Sequence, residues 1–178
     1  MPTTTTTCLI ALGSNLGDRM DNLHAGLAGI DDADGIDVVA VSPIYETAPV
    51  GGPELQGPYL NAAVLAETTL DAAELLAVLH RIEAGRERER VVHWGPRTLD
   101  LDLLVHGDLV VDTPSLQVPH PRMDERRFVM VPVCDVAPDL VHPRLGRPMR
   151  DLLADLPVEP GDLTELTPTW HTIPEHSP

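Results

Sequence analysis

The residues best suited to chemistry in this 178-residue chain lie in one short stretch, which reads WGPRTLDLD from Trp94. Asp100 and Asp102 alternate with leucines, which predicts a strand with both carboxylates on one face and an apolar reverse face. Two like charges side by side are unfavourable without a cation between them. Paired carboxylates that act together with substrate phosphates suit Mg²⁺, and Arg97 beside them suits a polyphosphate. A half-exposed strand with solvated acids would explain an Asp-x-Asp pair equally well.

The basic residues are all arginine, twelve in number, and the chain has no lysine. This excludes a Walker A loop, a Schiff-base lysine and a lysine general base. The formal net charge of −16 disfavours nucleic acid as a partner, yet eight of the arginines lie within residues 81–127. Arg86, Arg88 and Arg90 either form a solvated face with the interleaved glutamates or clamp phosphates.

Two further residues have both a structural and a functional interpretation. His120 lies between two prolines and is either a rigid turn residue or a ligand contact, and Phe128, the one phenylalanine, would ordinarily be a core residue. The histidines show no zinc-ligand spacing, and no nucleophile elbow or glycine-rich nucleotide motif occurs. The two cysteines are too few for a disulfide scaffold.

The elements that must position these residues follow the order strand–helix–strand–strand–helix–strand. This order predicts an α+β fold, a ferredoxin-like (split βαβ) antiparallel sheet with helices packed on it and C-terminal additions. We expect one domain over residues 8–156, with residues 1–7 and 157–178 as disordered tails. The second strand is predicted over Val38–Tyr45, a helix ends near Glu83, and a short strand through Val111 returns along the strand that carries the aspartates. No leader or membrane span is apparent, which predicts a cytoplasmic protein.

At this point the sequence resembles the 6-hydroxymethyl-7,8-dihydropterin pyrophosphokinase family of folate synthesis, over roughly residues 8–156. Six motifs in the expected order carry the resemblance. They are Ala11–Leu16 (ALGSNL), Ser42–Thr47 (SPIYET), Tyr59–Ala63 (YLNAA), Arg81–Glu83 (RIE), Trp94–Asp102, and Val118–His120 (VPH) followed by Arg126 and Phe128.

The resemblance implies transfer of the β,γ-pyrophosphoryl group of ATP to the hydroxymethyl group of a dihydropterin, with release of AMP. It implies two Mg²⁺ ions held by Asp100 and Asp102, and ATP as co-substrate. The partners would be these small molecules, with no nucleic acid and no membrane, and the protein would be a monomer. A ligand sensor on the same scaffold would not need the paired aspartates, and a Mg²⁺-dependent phosphohydrolase would release ADP or phosphate instead of AMP.

The resemblance also assigns site residues by position. Arg88 and Arg97 would be catalytic, although Arg86 is an alternative to Arg88 because the arginine segment is one residue shorter than expected. The pterin contacts would be Thr47, Ala48, Val50, Tyr59, Asn61 and Phe128. The ATP contacts would be His80, Glu83, Arg90, Trp94, Arg97, Leu103, His120 and Arg126. His80, Ser115 and Pro121 depart from residues common in the family, and the loops 47–58 and 86–96 are expected to act as lids.

Overall fold

The computed structural model describes residues 2–48, 57–87 and 98–171. These residues form eight β-strands and four α-helices. The strands are β1 (Thr6–Ser14), β2 (Ile36–Val41), β3 (Ile44–Thr47), β4 (Tyr59–Thr68), β5 (Asp100–His106), β6 (Val111–Thr113), β7 (Leu116–Val118) and β8 (Leu163–Thr167). The helices are α1 (Arg19–Asp31), α2 (Ala72–Glu87), α3 (Arg127–Val136) and α4 (Met149–Ala154). None of the described helices has the length and apolar character needed to cross a membrane.

The main sheet is antiparallel, with strand order β5–β1–β4–β3–β8 and with β2 also paired to β4. The part of this order from β5 to β3 is that of a split βαβ, ferredoxin-like sheet. The predicted fold class is therefore confirmed. The strand predicted over Val38–Tyr45 is two strands, because Pro43 has no N–H group to continue the ladder. Both strands pair with β4.

Different helices cover the two faces of the sheet. Helices α1 and α2 pack on one face, and α3 and α4 pack on the other. The central strand β1 is consequently buried on both sides, with Ile10 in the first core and Leu9 in the second. The apolar contacts are Leu23, Leu27, Leu75 and Leu79 on the first face, and Met130, Val133, Met149 and Leu152 on the second.

Two of the predicted boundaries are wrong. Helix α2 continues four residues beyond Glu83, and Arg86 in its last turn donates hydrogen bonds to Asn22 of α1. The strand after the turn at Gly107 pairs with β7 as a separate hairpin instead of returning along β5. Local residue patterns give no information on either tertiary contact.

The prediction of disordered tails is wrong for the residues that the structure describes next to the core. At the N-terminus, Thr6 and Thr7 already belong to β1. At the C-terminus, β8 pairs with β3, and Trp170 is only 8% exposed. Strand β8 is polar and short, so its sequence alone does not indicate a strand. Pairing with β3 and burial of Trp170 supply the stability that its composition lacks.

The loop between α3 and α4 contains a buried histidine that links stability to pH. Nδ1 of His142 accepts hydrogen bonds from the backbone N–H groups of Arg144 and Leu145, at 3.2 Å each. The neutral ring therefore carries its proton on Nε2, which is buried and has no hydrogen-bond partner among the described residues. Burial lowers the pKa of His142 below the ordinary value of 6.5, the Asp124 carboxylate opposes this, and the charge of Arg144 adds to it.

We expect His142 to destabilise the fold in mild acid. Since the unfolded chain binds the proton first, the contribution of His142 is complete above pH 6.5 and is lost as the pH falls through the lowered folded pKa. One linked proton changes the free energy of unfolding by at most about 1.4 kcal/mol per pH unit. In thermal melts from pH 8 to 5, His142→Asn, whose Oδ1 can replace Nδ1, should follow the wild type above pH 6.5 and lose up to about 2–4 °C less per pH unit below it. Parallel curves for the two proteins below pH 6.5 would contradict this role.

Candidate active site

The two aspartates lie at the start of β5, the edge strand of the sheet. Asp100 is half-buried and Asp102 is exposed, whereas Leu101 and Leu103 are 2% and 4% exposed. The predicted alternation is therefore confirmed, because the leucines pack into the core under α1 and α2. The carboxylates lie on the opposite face, the one that also carries α3.

A row of residues crosses the sheet on this face. Asp100 pairs with Gly13 of β1, Gly13 pairs with Asn61 of β4, and Asn61 pairs with Tyr45 of β3. Paired residues of neighbouring strands share a face, so Asp100 and Asn61 flank Gly13 at a Cα separation of about 10 Å. A Cβ atom at Gly13 would lie 3.3 Å from Oδ1 of Asn61, so the glycine leaves this space open. The sheet surface over Gly13 therefore has a carboxylate on one side and an amide on the other.

The amide end of the row is hydrogen-bonded and partly enclosed. Nδ2 of Asn61 donates to Oγ1 of Thr47 at 2.7 Å, and Thr47 is only 4% exposed. Tyr59 pairs with Thr47 across β3 and β4 and is half-buried. Ala48 follows β3 and is exposed, and Val50 lies outside the described residues. The structure thus brings Thr47, Tyr59 and Asn61 together at this end of the row.

The same row ends at a tyrosine that the sequence analysis did not assign. The hydroxyl of Tyr45 donates to Oδ2 of Asp135 on α3 at 2.6 Å. Burial and the neighbouring Asp135 and Glu165 carboxylates raise the pKa of Tyr45 above its usual range, and burial also raises the pKa of Asp135. The pair joins α3 to β3 beside Asn61. The spacing of the two residues in the sequence carries no signal for this contact.

Helix α3 places Phe128 and a pair of arginines above this face. The guanidinium of Arg126, the N-cap residue, lies 5.7 Å from the centre of the Phe128 ring. Arg127 forms an ion pair with Asp162, Nε to Oδ2, at 2.7 Å. Cations at a helix N-terminus oppose the helix dipole. Two consecutive arginines therefore create an unfavourable positive charge, which Asp162 offsets at Arg127 and which an anion near Arg126 would offset further.

His120 lies beside β5, near Asp102. Its backbone N–H donates to the carbonyl of Leu104 at 2.9 Å, and its Nδ1 accepts the N–H of Arg122 at 3.2 Å. Burial lowers the pKa of His120, and the charges of Arg126 and Arg122 add to this against the opposing effect of Asp102. The ring is neutral at pH 7, which leaves Nε2–H as a donor.

Helix α2 supports β5 from its open edge. Glu83 is 7% exposed, and its Oε1 accepts the backbone N–H of Leu101 at 3.3 Å. The N–H of Leu103, two residues further along the strand, faces the same edge. The side chain of Leu103 lies in the core, so a ligand contact of this residue would have to use its backbone. His80, one turn before Glu83, is exposed.

Among the described residues, two buried polar side chains close to Asp100 in the chain or across its strand partner have no hydrogen-bond partner. They are Asn15, whose amide nitrogen and oxygen are both unpaired, and Thr98, whose hydroxyl is unpaired. Each is 6% exposed; Thr98 is two residues before Asp100, and Asn15 is two residues after Gly13, the strand partner of Asp100. Buried polar groups are ordinarily hydrogen-bonded. Their state is typical of a site that receives a polar ligand.

The arginine segment is only partly described. Arg86 lies in α2 and contacts both Asn22 and Asp21, and Asn22 in turn donates to Ser14. The first turn of α1 thereby joins the end of α2 to the end of β1. Five residues with assigned roles lie outside the described residues, namely Val50, Arg88, Arg90, Trp94 and Arg97.

The carboxylates fit Mg²⁺ by their number and type. Within residues 2–48, 57–87 and 98–171, no group of three histidine, cysteine or acidic side chains could enclose a metal. Mg²⁺ in phosphate-transfer sites is bound through one or two carboxylates together with substrate phosphates and water. Two aspartates on an open strand edge, with unpaired polar groups beside them, agree with that mode of binding.

Comparison with known proteins agrees with this geometry. The model of the 7,8-dihydro-6-hydroxymethylpterin-pyrophosphokinase (HPPK) family matches residues 9–138. A 2-amino-4-hydroxy-6-hydroxymethyldihydropteridine pyrophosphokinase of Pseudomonas aeruginosa is 42% identical over 150 residues, which is 84% of this chain and 91% of that protein. One from Bacillus subtilis is 46% identical over 127 residues, 71% of this chain and 75% of that protein.

The solved structures support the fold. The HPPK-DHPS protein of Plasmodium falciparum superposes with a TM-score of 0.67 at 13% identity, over 85% of this chain. This chain spans less than half of that protein, 43% of its length.

These matches identify a pyrophosphokinase with a ferredoxin-like fold. The chain belongs to the 7,8-dihydro-6-hydroxymethylpterin-pyrophosphokinase family. It is an ATP-dependent diphosphotransferase that transfers pyrophosphate from ATP to hydroxymethyldihydropterin in folate biosynthesis.

Proposed function

We propose that the row from Asp100 to Asn61 is the surface on which the two substrates bind and the transfer takes place. The dihydropterin would bind at the amide end, and the triphosphate of ATP at the carboxylate end. The observation that carries the proposal is the alignment of Asp100, Gly13 and Asn61 on one face of three adjacent strands. A pterin held by Asn61 can direct its hydroxymethyl group over Gly13 toward phosphates held near Asp100.

The pterin subsite would use hydrogen bonds and ring contacts. The amide of Asn61 and the hydroxyl of Thr47 match the donors and acceptors along the edge of a pterin ring. Tyr59 and Phe128 would flank the flat ring on its two sides, which is a favourable environment for an aromatic heterocycle. Ala48 and Val50 would contribute backbone or apolar contacts at the mouth.

The nucleotide subsite would surround the start of β5. Asp100 and Asp102 would hold two Mg²⁺ ions together with the phosphates of ATP. Cationic and neutral donors would bind the rest of the triphosphate, and the open edge of β5 would accept the base or ribose. The contacts proposed for ATP are His80, Glu83, Arg90, Trp94, Arg97, the backbone of Leu103, His120 and Arg126.

The reaction requires mainly that the protein position the two substrates and neutralise the charge of the phosphates. The hydroxymethyl oxygen attacks the β-phosphorus, the bond from that phosphorus to the oxygen of the α-phosphate breaks, and AMP leaves with that oxygen. The hydroxyl proton is released to solvent. Bound Mg²⁺ would neutralise charge on the phosphates. Arg88 and Arg97 would stabilise charge in the transition state, and the neutral His120 would donate Nε2–H to a phosphate oxygen.

The assay that tests this proposal separates nucleotides after incubation with Mg²⁺, ATP and 6-hydroxymethyl-7,8-dihydropterin. We expect AMP only when the pterin is present. Formation of ADP, or AMP that does not depend on the pterin, would contradict the proposal. Replacing ATP with its α,β-methylene analogue should abolish the product, since the bond that breaks is then blocked.

We expect Arg97→Ala to reduce kcat by about 10²-fold while the KM for the pterin changes by less than about threefold. The reason is that a guanidinium on the transferring group acts mainly in the transition state. Initial rates of AMP formation at varied pterin concentration measure both constants. A rise in the KM for the pterin as large as the fall in kcat would contradict a role in the transfer step.

The same assay identifies the catalytic loop arginine. Arg88→Ala should show the kcat loss, whereas Arg86→Ala and Arg90→Ala should act mainly on the KM for ATP. Because Arg86 contacts Asp21 and Asn22 on α1, a large kcat loss for Arg86→Ala would transfer the catalytic role to that residue.

We further propose that the enzyme is a monomer that acts in the cytoplasm and binds no nucleic acid. The supply of ATP supports the location, and the net charge of −16 supports the absence of nucleic acid.

A further inference from the structure

The C-terminal segment 162–170, called here the C-terminal strap, lies beyond residues 9–138, the part that the family model matches. Its strand β8 covers the outer edge of β3, with Leu163 opposite Thr47 and Glu165 opposite Tyr45. Strand β3 has only four residues and pairs with β4 through three of them. Without β8 it would be a short edge strand, the kind of element that frays most readily.

The end of the strap is held on the α1 face of the sheet. Trp170 is 8% exposed and belongs to the core under α1 and α2. Its Nε1–H donates to the carbonyl of Ser42 at 2.8 Å, at the bend between β2 and β3. Its own carbonyl lies 2.7 Å from Nε2 of His24 on α1, and the two rings are 5.4 Å apart.

The beginning of the strap is held on the opposite face. Asp162 forms the ion pair with Arg127, the first residue of α3, and both side chains are about three-quarters buried, at 27% and 22% exposure. The first turn of α3 contains no acidic residue, and the side chain of its N-cap, Arg126, does not cap the helix. Asp162 thus supplies the negative charge that the N-terminus of α3 lacks. Phe128 is the next residue along the helix.

We propose that the C-terminal strap positions β3 and the start of α3, which lie on two sides of the proposed pterin subsite, relative to each other. Asp162 is its principal positioning residue. This inference rests on the proposed pterin subsite. Thr47 lies on β3 and Phe128 on α3, and the strap contacts both elements by wrapping around the sheet edge. Loss of the Asp162–Arg127 pair lets the start of α3 move away from β3, so the ring of Phe128 is no longer held over the pterin.

The test uses Asp162→Asn, Arg127→Gln and the double variant. Asp155→Asn is the control, because Asp155 forms an ion pair of similar length with Arg147, at 2.6 Å, at the end of α4, where the two side chains are more exposed. Calorimetry with Mg²⁺ and α,β-methylene ATP gives the Kd for 6-hydroxymethylpterin, and a titration without pterin gives the Kd for the ATP analogue. Thermal melts report the fold of each variant.

We expect the pterin Kd to rise by about 3- to 10-fold in each single variant and by no more in the double variant, because the two residues act as one unit. The Kd for the ATP analogue should rise clearly less than the pterin Kd, because Arg126 is the only one of the eight proposed ATP contacts at the start of α3. Asp155→Asn should match the wild type. A lower Tm with an unchanged pterin Kd, or equal weakening of both ligands, would overturn the inference.

Trp170→Phe provides a second variant at the other end of the strap. It retains the aromatic ring and removes the N–H donor to Ser42, so we expect a rise in pterin Kd of about 2- to 3-fold. If the wild type forms no pterin-dependent AMP, the proposed function fails. If the wild type is active while the pterin Kd of Asp162→Asn and Trp170→Phe equals that of the wild type, only the strap inference fails.

Discussion

Replacing Asp100 or Asp102 with asparagine is expected to reduce the kcat for AMP formation by at least about 10³-fold, with the fold intact. Asparagine retains the size and the oxygen of the side chain and removes its charge, so the loss reflects charge alone. In the proposed site, the phosphates of ATP would bring strong negative charge to the start of β5. Without the carboxylates, the cation that neutralises those phosphates would no longer be held over the row.

Initial rates at increasing Mg²⁺ concentration test this expectation. Each variant should require more Mg²⁺ than the wild type and should remain below wild-type activity at saturation. Asp37→Asn is the matched control, because Asp37 is an exposed strand aspartate on β2. A variant at Asp100 or Asp102 with wild-type rate and Mg²⁺ dependence would exclude the aspartates as the metal ligands. A Tm within a few degrees of the wild type would exclude misfolding.

The second large effect is expected for Asn61→Ala, which should raise the KM for the pterin by about 10²-fold. The change removes an amide that a pterin edge would use, and it leaves the buried hydroxyl of Thr47 without its 2.7 Å donor. A polar ligand that enters such a site loses its bonds to water without regaining them. The KM for ATP should change little, since Asn61 is two strands away from Asp100.

The control for this variant is Gln117→Ala. Gln117 also carries an amide, but it lies on the exposed β7 and bonds only to Asp112 among the described residues. Rates at varied pterin with saturating ATP should separate the two variants clearly. An unchanged pterin KM in Asn61→Ala would remove Asn61 from the subsite, and a parallel rise in the KM for ATP would indicate a general disturbance of the sheet.

Much of the fold could be predicted from the sequence because its signals are local. Alternation of leucine and aspartate in β5 determined which face carries the carboxylates, and the structure confirms it through the burial of Leu101 and Leu103. The order of strands and helices was sufficient to indicate a split βαβ sheet. The sequence predicted one strand over Val38–Tyr45. Pro43 indicates an irregularity there, but the division into two strands depends on how β4 pairs with each half.

The residues of the candidate site were assigned mainly through the family resemblance, whose motifs contain residue types that are scarce in this composition. With few aromatic residues and no lysine in the chain, Tyr59, Phe128 and the clustered arginines are conspicuous. The pairing of Tyr45 with Asp135, ninety residues apart, could not be predicted. Neither residue is unusual in its own segment, and the bond exists because α3 packs on the face where Tyr45 emerges.

By itself the sequence determined the residue types available for chemistry, since Asp100, Asp102 and the motifs around them carry the resemblance to a pyrophosphokinase and the alternation within one strand places both carboxylates on one face. Tertiary structure alone decided the neighbours across the sheet, above all the row that joins Asp100 to Asn61 through Gly13. It also decided that residues 162–170 form a strap. The physical reason is that strand register and edge pairing depend on contacts between distant segments, whereas side-chain alternation is set within one strand.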